Sequence, residues 1–460
     1  MKILVIGLES AAPELLLGDD RLATIRSLME IGCYGRLEGV VPSDAGLAWM
    51  SLATGQDPGS LGVYGDRDRA DRSYKNPEVV DPRSILAPTI WDQVAREGGE
   101  SILVGGPIGR ESEAADPLIS RLRFDVPNPP IADKVRLRDA VFKASRDQFE
   151  DLQDTIESVP WDYFQFIDTS LDRIQRAFWR DHDPEHPQHD PNGPFADVVR
   201  DYYLHLDQEI AGVLDRLAEE TVVLVVSTRG AQRLDGGFRI NEWLIREGLL
   251  TLRSRPDRIT PFAKLDVDWS RTKAWSEGGA DARIYLNVKG REPEGTIDPA
   301  DCQRFRDDLK ARLEATTDAE GKSLGTLVFK PDELYRHVRN VAPDLIVQFG
   351  GLAWRALDGV GARTNHAGAV DAGLDDCNPA QHGAFVLASP ALAPIGELKD
   401  ARVIDVAPTL LQLGGRPPLP DAHGRSLVAG RDSQPPTDAG AAVDDDELVR
   451  ERLRGLGYIG

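Results

Sequence analysis

Short runs of consecutive apolar residues alternate along this chain with stretches whose apolar positions recur every three to four residues. Ile3 to Leu8 reads as the first strand. Thr89 to Gly98 reads as a helix, and Ser101 to Val104 returns as a strand ending in Gly105-Gly106-Pro107. Trp161 to Ile167 alternates as a strand does. Ile210, Val213, Leu214 and Leu217 fall at i, i+3, i+4 and i+7, one face of a helix. That helix leads into the unbroken apolar run Val222 to Val226, which predicts a strand buried on both faces. Asp344 to Val347 predicts another such strand, and Val403 to Leu413 a helix with Pro408 near its start. Alternation of this kind argues for an α/β sandwich on a mostly parallel central sheet. Chemistry in such sheets gathers just past the carboxyl ends of the strands. Four places follow: Leu8-Glu9-Ser10, Ile167-Asp168 with Asp172, Ser227-Thr228-Arg229-Gly230, and the segment before His382-Gly383.

Residues 108–160 and 250–340 are richer in charge and less regular, and are expected to be insertions or a small cap on a main unit spanning 1–428. Residues 429–443 read as a flexible linker, and 444–460 as a C-terminal tail helix opened by Asp444-Asp445-Asp446-Glu447.

Charge narrows the partners. The chain has 460 residues, with 54 Lys and Arg against 76 Asp and Glu, a formal net charge of −22. Such a chain repels polyphosphate, so no nucleic-acid partner is expected. The three cysteines, Cys33, Cys302 and Cys377, are odd in number and far apart, which excludes a disulfide framework and fits a reducing compartment. The apolar run at the N-terminus is too short for a signal peptide, and no later run approaches the roughly 20 residues needed to span a bilayer. The expectation is an acidic cytoplasmic protein with no membrane span.

The strand ends carry motifs in a telling order. They are Ile6-Gly7-Leu8; Ala48-Trp49-Met50-Ser51 with Thr54-Gly55 and Pro58-Gly59; Asp172-Arg173-Ile174-Gln175 with Phe178-Trp179; and Gly236-Gly237-Phe238 with Asn241-Glu242-Trp243-Leu244. Tyr285-Leu286-Asn287, Gly290-Arg291-Glu292-Pro293, Ala342-Pro343-Asp344-Leu345, Asp405-Val406-Ala407-Pro408-Thr409-Leu410 and the tail Arg452 to Tyr458 follow. Taken together, the chain resembles the alkaline phosphatase superfamily, in particular its type I phosphodiesterase/nucleotide pyrophosphatase branch, over nearly its whole length. The resemblance implies an alkaline-phosphatase-like α/β/α sandwich with a small inserted cap. It also implies two divalent metals such as Zn²⁺ or Mn²⁺, about 4 Å apart, clamping the attacking and leaving oxygens of a phosphoryl transfer.

The ligands implied by that resemblance are an Asp after the first strand, an Asp…His pair, an Asp-His pair and a final His, beside a Thr or Ser nucleophile. Here the first strand ends in Glu9-Ser10 in place of Asp-Gly. Counting back from Ala48-Trp49, the nucleophile position is Ala45, which has no hydroxyl. Asp172 is kept, but Arg176 stands four residues on; Thr228-Arg229 replaces the Asp-His pair, and Pro379 replaces the last His. Leu61 replaces the His of a Pro-Gly-x-His-Gly turn. Glu9 and Asp172 remain as ligands, too few for two metals, and guanidinium groups cannot coordinate. No catalytic set is intact and no metal is expected.

Three readings stay open. In the first, Arg176 and Arg229 bind the phosphate of a phosphorylated small molecule bidentately, or the chain serves a protein partner such as an active paralogue; it is then a non-catalytic pseudoenzyme. In the second, they only neutralise Glu9 and Asp172 in a filled cleft, and the chain is a structural subunit. In the third, a non-standard metal set sustains phosphohydrolase or phosphodiesterase activity, with Ser43 as a replacement nucleophile and His382 as a replacement ligand. Pro184 and Pro187 keep His182, His186 and His189 off a regular helix and point to a solvated loop.

Overall fold

The computed structural model describes residues 1–81, 85–105, 131–218, 220–372 and 375–430. Residues 431–443 of the expected 429–443 linker, the expected 444–460 tail helix and residues 108–130 of the expected 108–160 insertion lie outside them.

The apolar runs assemble into one eight-stranded sheet. From one edge its order is Gly396–Glu397, Cys33–Glu38, His382–Ala388, Thr221–Ser227, Lys2–Leu8, Tyr163–Asp168 and Ser101–Val104, with Ala401–Arg402 also on Cys33–Glu38. Lys2–Leu8 pairs parallel with both neighbours, whereas His382–Ala388 runs antiparallel to the strands on either side. The sheet is therefore mixed, with a parallel centre.

Side chains alternate between two buried faces. Leu4, Ile6, Phe164, Phe166, Val223 and Val225 meet the helices Ala23–Ile31, Ile131–Ser158, Ser170–His182 and Val198–Leu214. Ile3, Val5, Ile167, Leu224 and Val226 meet Trp49, Leu52, Ile90, Val94 and Leu410 from the helices on the other side. Because the central strands Lys2–Leu8 and Thr221–Ser227 are covered on both faces, their sequences are almost wholly apolar and stand out as unbroken runs, whereas Cys33–Glu38 nearer the edge alternates between buried and exposed positions. The α/β sandwich expected from the sequence is present.

Asp344 to Val347 has a different setting from the one its sequence suggests. Leu345–Gln348 belongs to a separate four-stranded antiparallel sheet with Ala274–Glu277, Ala282–Leu286 and Leu327–Phe329. This sheet has its own apolar cluster, with Trp275, Tyr285 and Phe349 beside Leu309 and Leu313 of the helix Cys302–Glu314. A run of apolar residues reports burial on two faces and carries no information about strand direction. No helix among the described residues is long and apolar enough to cross a membrane.

Candidate functional site

The parallel strands deliver Glu9, Asp168 and Thr228 to the same end of the sheet. Glu9 is buried, at 6 % exposure. Its Oε1 accepts from Nε of Arg229 at 2.9 Å, and its Oε2 accepts from Nε1 of Trp49 at 2.6 Å. Gly7 makes the second bond possible, because a Cβ there would lie 2.5 Å from Cη2 of Trp49. Arg229 also donates from Nη1 to the carbonyl of Ser43 at 3.2 Å. Each charged group is thus held by the chain's own atoms.

Ser10 stands where the resemblance implies a glycine, and its φ of +64° shows why glycine suits that place. Its hydroxyl donates to Oδ1 of Asp172 at 2.8 Å and lies 3.3 Å from Oε1 of Glu9. The polar contacts offset some of the cost of the left-handed backbone.

Asp172 and Arg176 are one turn apart on the helix Ser170–His182, so they share a face. Nε of Arg176 donates to Oδ2 of Asp172 at 2.7 Å, and its Nη1 to Asp375 at 2.9 Å. Burial works against the charge of Arg176, but Asp172 and Asp375 more than compensate and raise its pKa. Nη2 of Arg355 reaches the same Asp375 oxygen at 3.2 Å and continues to Asn378. Three carboxylates, Glu9, Asp172 and Asp375, therefore face three guanidinium groups, Arg229, Arg176 and Arg355.

Ala45 opens the helix Ala45–Thr54, whose N-cap Asp44 accepts from the Leu47 amide at 2.9 Å. Desolvation raises the pKa of Asp44. Ser43 is buried, its amide donating to Asp281 at 2.7 Å while its carbonyl receives Arg229. Thr228 is fully buried and its hydroxyl has no hydrogen-bond partner among the described residues. Pro379 is locked in a two-stranded ladder opposite Ala231.

Two of the histidines are engaged by other parts of the chain. His366 contacts the Thr317 carbonyl at 2.7 Å and packs against Phe238 and Trp354. His186 is buried, contrary to the solvated loop read from the sequence. Its Nδ1 accepts from the Gln188 amide, so its Nε2 donates to the Asp376 carbonyl at 3.1 Å. Burial lowers its pKa, in keeping with a neutral ring. His382 opens its strand opposite Glu38.

Two divalent metals need several carboxylate or imidazole donors converging on each ion. Among the described residues no group of three or more His, Cys, Asp or Glu is disposed to hold one. Glu9 and Asp172 are each engaged by a guanidinium group, and Thr228 and Pro379 bring no anionic donor. The donor set does not fit two metals.

Sequence reasoning brought Glu9, Asp172, Arg176 and Arg229 to this end of the sheet. It also named Ser10, at the end of the first strand, and did not single out Trp49, Arg355 and Asp375 as partners of these groups. Only the need of a buried carboxylate for donors could have marked Trp49.

The family model for type I phosphodiesterase / nucleotide pyrophosphatase matches residues 3–374. Among solved structures, murine ectonucleotide pyrophosphatase / phosphodiesterase 5 is similar with a TM-score of 0.53 at 15 % identity, over 94 % of this chain and 100 % of its own. The human protein of that name gives a TM-score of 0.53 at 13 % identity, over 93 % of this chain and 98 % of its own. An inactive threonine-to-alanine form of the murine protein in complex with AMP gives 0.52 at 14 % identity, over 91 % and 96 %. No curated protein sequence matches the chain.

Proposed function

The chain belongs to the type I phosphodiesterase / nucleotide pyrophosphatase family, and we propose that it is a member without phosphohydrolase activity that acts by binding. The observation that carries this reading is the occupation of both surviving carboxylates by arginine: Arg229 on Glu9 at 2.9 Å and Arg176 on Asp172 at 2.7 Å.

Two adjacent buried carboxylates repel one another unless a cation lies between them. In a two-metal member the metals supply that charge; here guanidinium groups supply it. They can neutralise charge and hold geometry, but cannot polarise a phosphoryl oxygen as a metal does or lower the pKa of a bound water. With Ala45 in the nucleophile position, no hydroxyl stands at the start of its helix to attack phosphorus. Arg176 and Arg229 direct donors to the chain's own acceptors, which favours a filled centre over capture of an external phosphate there. The murine neighbour is described with AMP in its inactive threonine-to-alanine form, so binding can outlast turnover in this fold. Phosphorylated small molecules and protein partners are the ligand classes in view, and a cytoplasmic setting is part of the same proposal.

Elemental analysis of protein purified without chelator tests this, paired with hydrolysis of bis-p-nitrophenyl phosphate and p-nitrophenyl phosphate in added Zn²⁺, Mn²⁺ or Mg²⁺. The expected result is substoichiometric metal and no chelator-sensitive turnover. About two metals per chain with chelator-sensitive turnover would overturn the reading.

A further inference from the structure

A cavity of about 450 Å³ opens over one face of the four-stranded sheet, and no residue of the arginine–carboxylate cluster lines it. Its size falls within the roughly 300–1,000 Å³ typical of small-molecule sites. The strand register explains its lining. Trp275 and Glu277 lie two residues apart on Ala274–Glu277, so their side chains share a face. Tyr285 and Arg283 stand opposite them on the neighbouring strand. Just before the strand, Trp269 extends the aromatic wall. It meets Trp275 edge-on at 5.0 Å, stacks on Tyr74 at 3.9 Å and stays partly exposed where it lines the cavity.

Glu277 is the informative group. Its Oε2 is sealed from solvent, 2.8 Å from Nη2 of Arg283. The side chain nevertheless keeps 14 % exposure, and Oε1 is neither sealed nor hydrogen-bonded among the described residues. That oxygen therefore opens on the cavity that Glu277 lines. Arg283 has little more to give it, because its Nη1 already donates to the Tyr64 carbonyl at 3.2 Å and to Asp68 at 3.1 Å. Burial pushes the pKa of Glu277 up to about 7, and Arg283 opposes this only in part. Such an acceptor gains from a donor that a ligand brings. The surrounding charges select no ion. Four cations line the cavity against three carboxylates, and a fourth carboxylate, Asp68, shares Arg283 with Glu277.

We propose that this cavity binds a neutral, hydroxyl-rich ring, the chemistry of a sugar, with a hydroxyl donating to Oε1 of Glu277 and the C–H face of the ring against Trp269. A pyranose carries C–H groups on its face and O–H groups at its rim. The first suit the negative face of an aromatic ring, and the second suit an open carboxylate oxygen. Lys75 and Asn76, exposed where they line the cavity, supply donors for the sugar's own oxygens. A free sugar and the end of a glycan offer this same chemistry. The site goes beyond the non-catalytic reading and does not depend on it.

The test uses the full chain with glucose, galactose, N-acetylglucosamine, maltose and lactose as probes. Glucosamine and gluconate serve as the cationic and anionic counterparts. Binding is read by ligand-observed NMR and by tryptophan fluorescence. Saturable binding of at least one neutral sugar is expected, with weaker binding of both charged counterparts. A disaccharide that binds more tightly than its monomers marks the end of a glycan as the source, and the reverse order marks a free sugar. Glu277→Gln should weaken binding about fivefold, because the neutral amide accepts less strongly than the carboxylate. Ala263→Trp, at an exposed residue lining the cavity, should weaken it about tenfold by filling the space, and keeps the test decisive if Glu277→Gln fails to fold. Absence of saturable binding by every neutral sugar, tighter binding of glucosamine or gluconate, or unchanged affinity in Ala263→Trp or in folded Glu277→Gln would each overturn the proposal.

Discussion

Arg229 and Glu9 are 220 positions apart in sequence and meet at 2.9 Å, both nearly excluded from solvent. Breaking one side of a buried ion pair costs more than the pair contributes, because the partner keeps its charge without its cation. Arg229→Met should therefore lower unfolding stability by about 3 kcal/mol. Glu9→Gln combined with Arg229→Met should recover at least half of that loss. Urea unfolding of the two singles and the double variant measures both. A fully additive cycle would mean that the pair is not coupled.

Ala45→Thr returns a hydroxyl to the first residue of its helix. The carboxylates beside it remain paired to arginine, so the single change should produce no metal-dependent hydrolysis of bis-p-nitrophenyl phosphate above the parent protein. Turnover in Zn²⁺ or Mn²⁺ from this substitution alone would show that a metal set is already in place.

Asp168 ends the strand Tyr163–Asp168, fully buried, accepting from the Ser170 amide at 2.7 Å and the Tyr202 hydroxyl at 3.2 Å. Burial pushes its pKa up to about 6, whereas an unfolded aspartate titrates near 4. Between those values the fold holds a proton that the unfolded chain has released. Stability from this group is complete below about pH 4, falls as pH rises to about 6, and is level above. Asp168→Asn keeps the acceptor for Ser170 and removes the titration. Its stability relative to the parent should rise across that window, by on the order of 1–3 kcal/mol at pH 7. Unfolding series from pH 4 to 8 give the difference curve; a flat difference would sink the assignment.

Gly7→Ala places a methyl against the indole of Trp49. Displacing that ring breaks its bond to Glu9, so the variant should lose about 2 kcal/mol and change its near-ultraviolet circular dichroism. An unchanged spectrum would mean that the strand shifts in place of the ring.

How much of this was legible in the sequence depends on distance along the chain. Strands such as Thr221–Ser227 announce themselves because burial on both faces makes every position apolar. Glu9, Asp172, Arg176 and Arg229 could be located because they sit at fixed offsets from those strands. Arg355 and Asp375 could not, since their pairing joins a short strand of a three-stranded sheet to a loop beyond it. The aromatic cluster of Tyr74, Trp269 and Trp275 has no periodic signature either, because these rings come together through the packing of separate loops and strands. Direction was the other blind spot, as Leu345–Gln348 shows.

The links Ser10–Asp172–Arg176–Asp375–Arg355 join the first strand's end to a helix, a distant loop and a strand of another sheet. They act as sutures across the rim of the molecule. A catalytic rim has to part for each substrate and close after each product; a sutured one is free of that cycle and can stay rigid. On the non-catalytic reading proposed above, turnover gives way to a fixed platform.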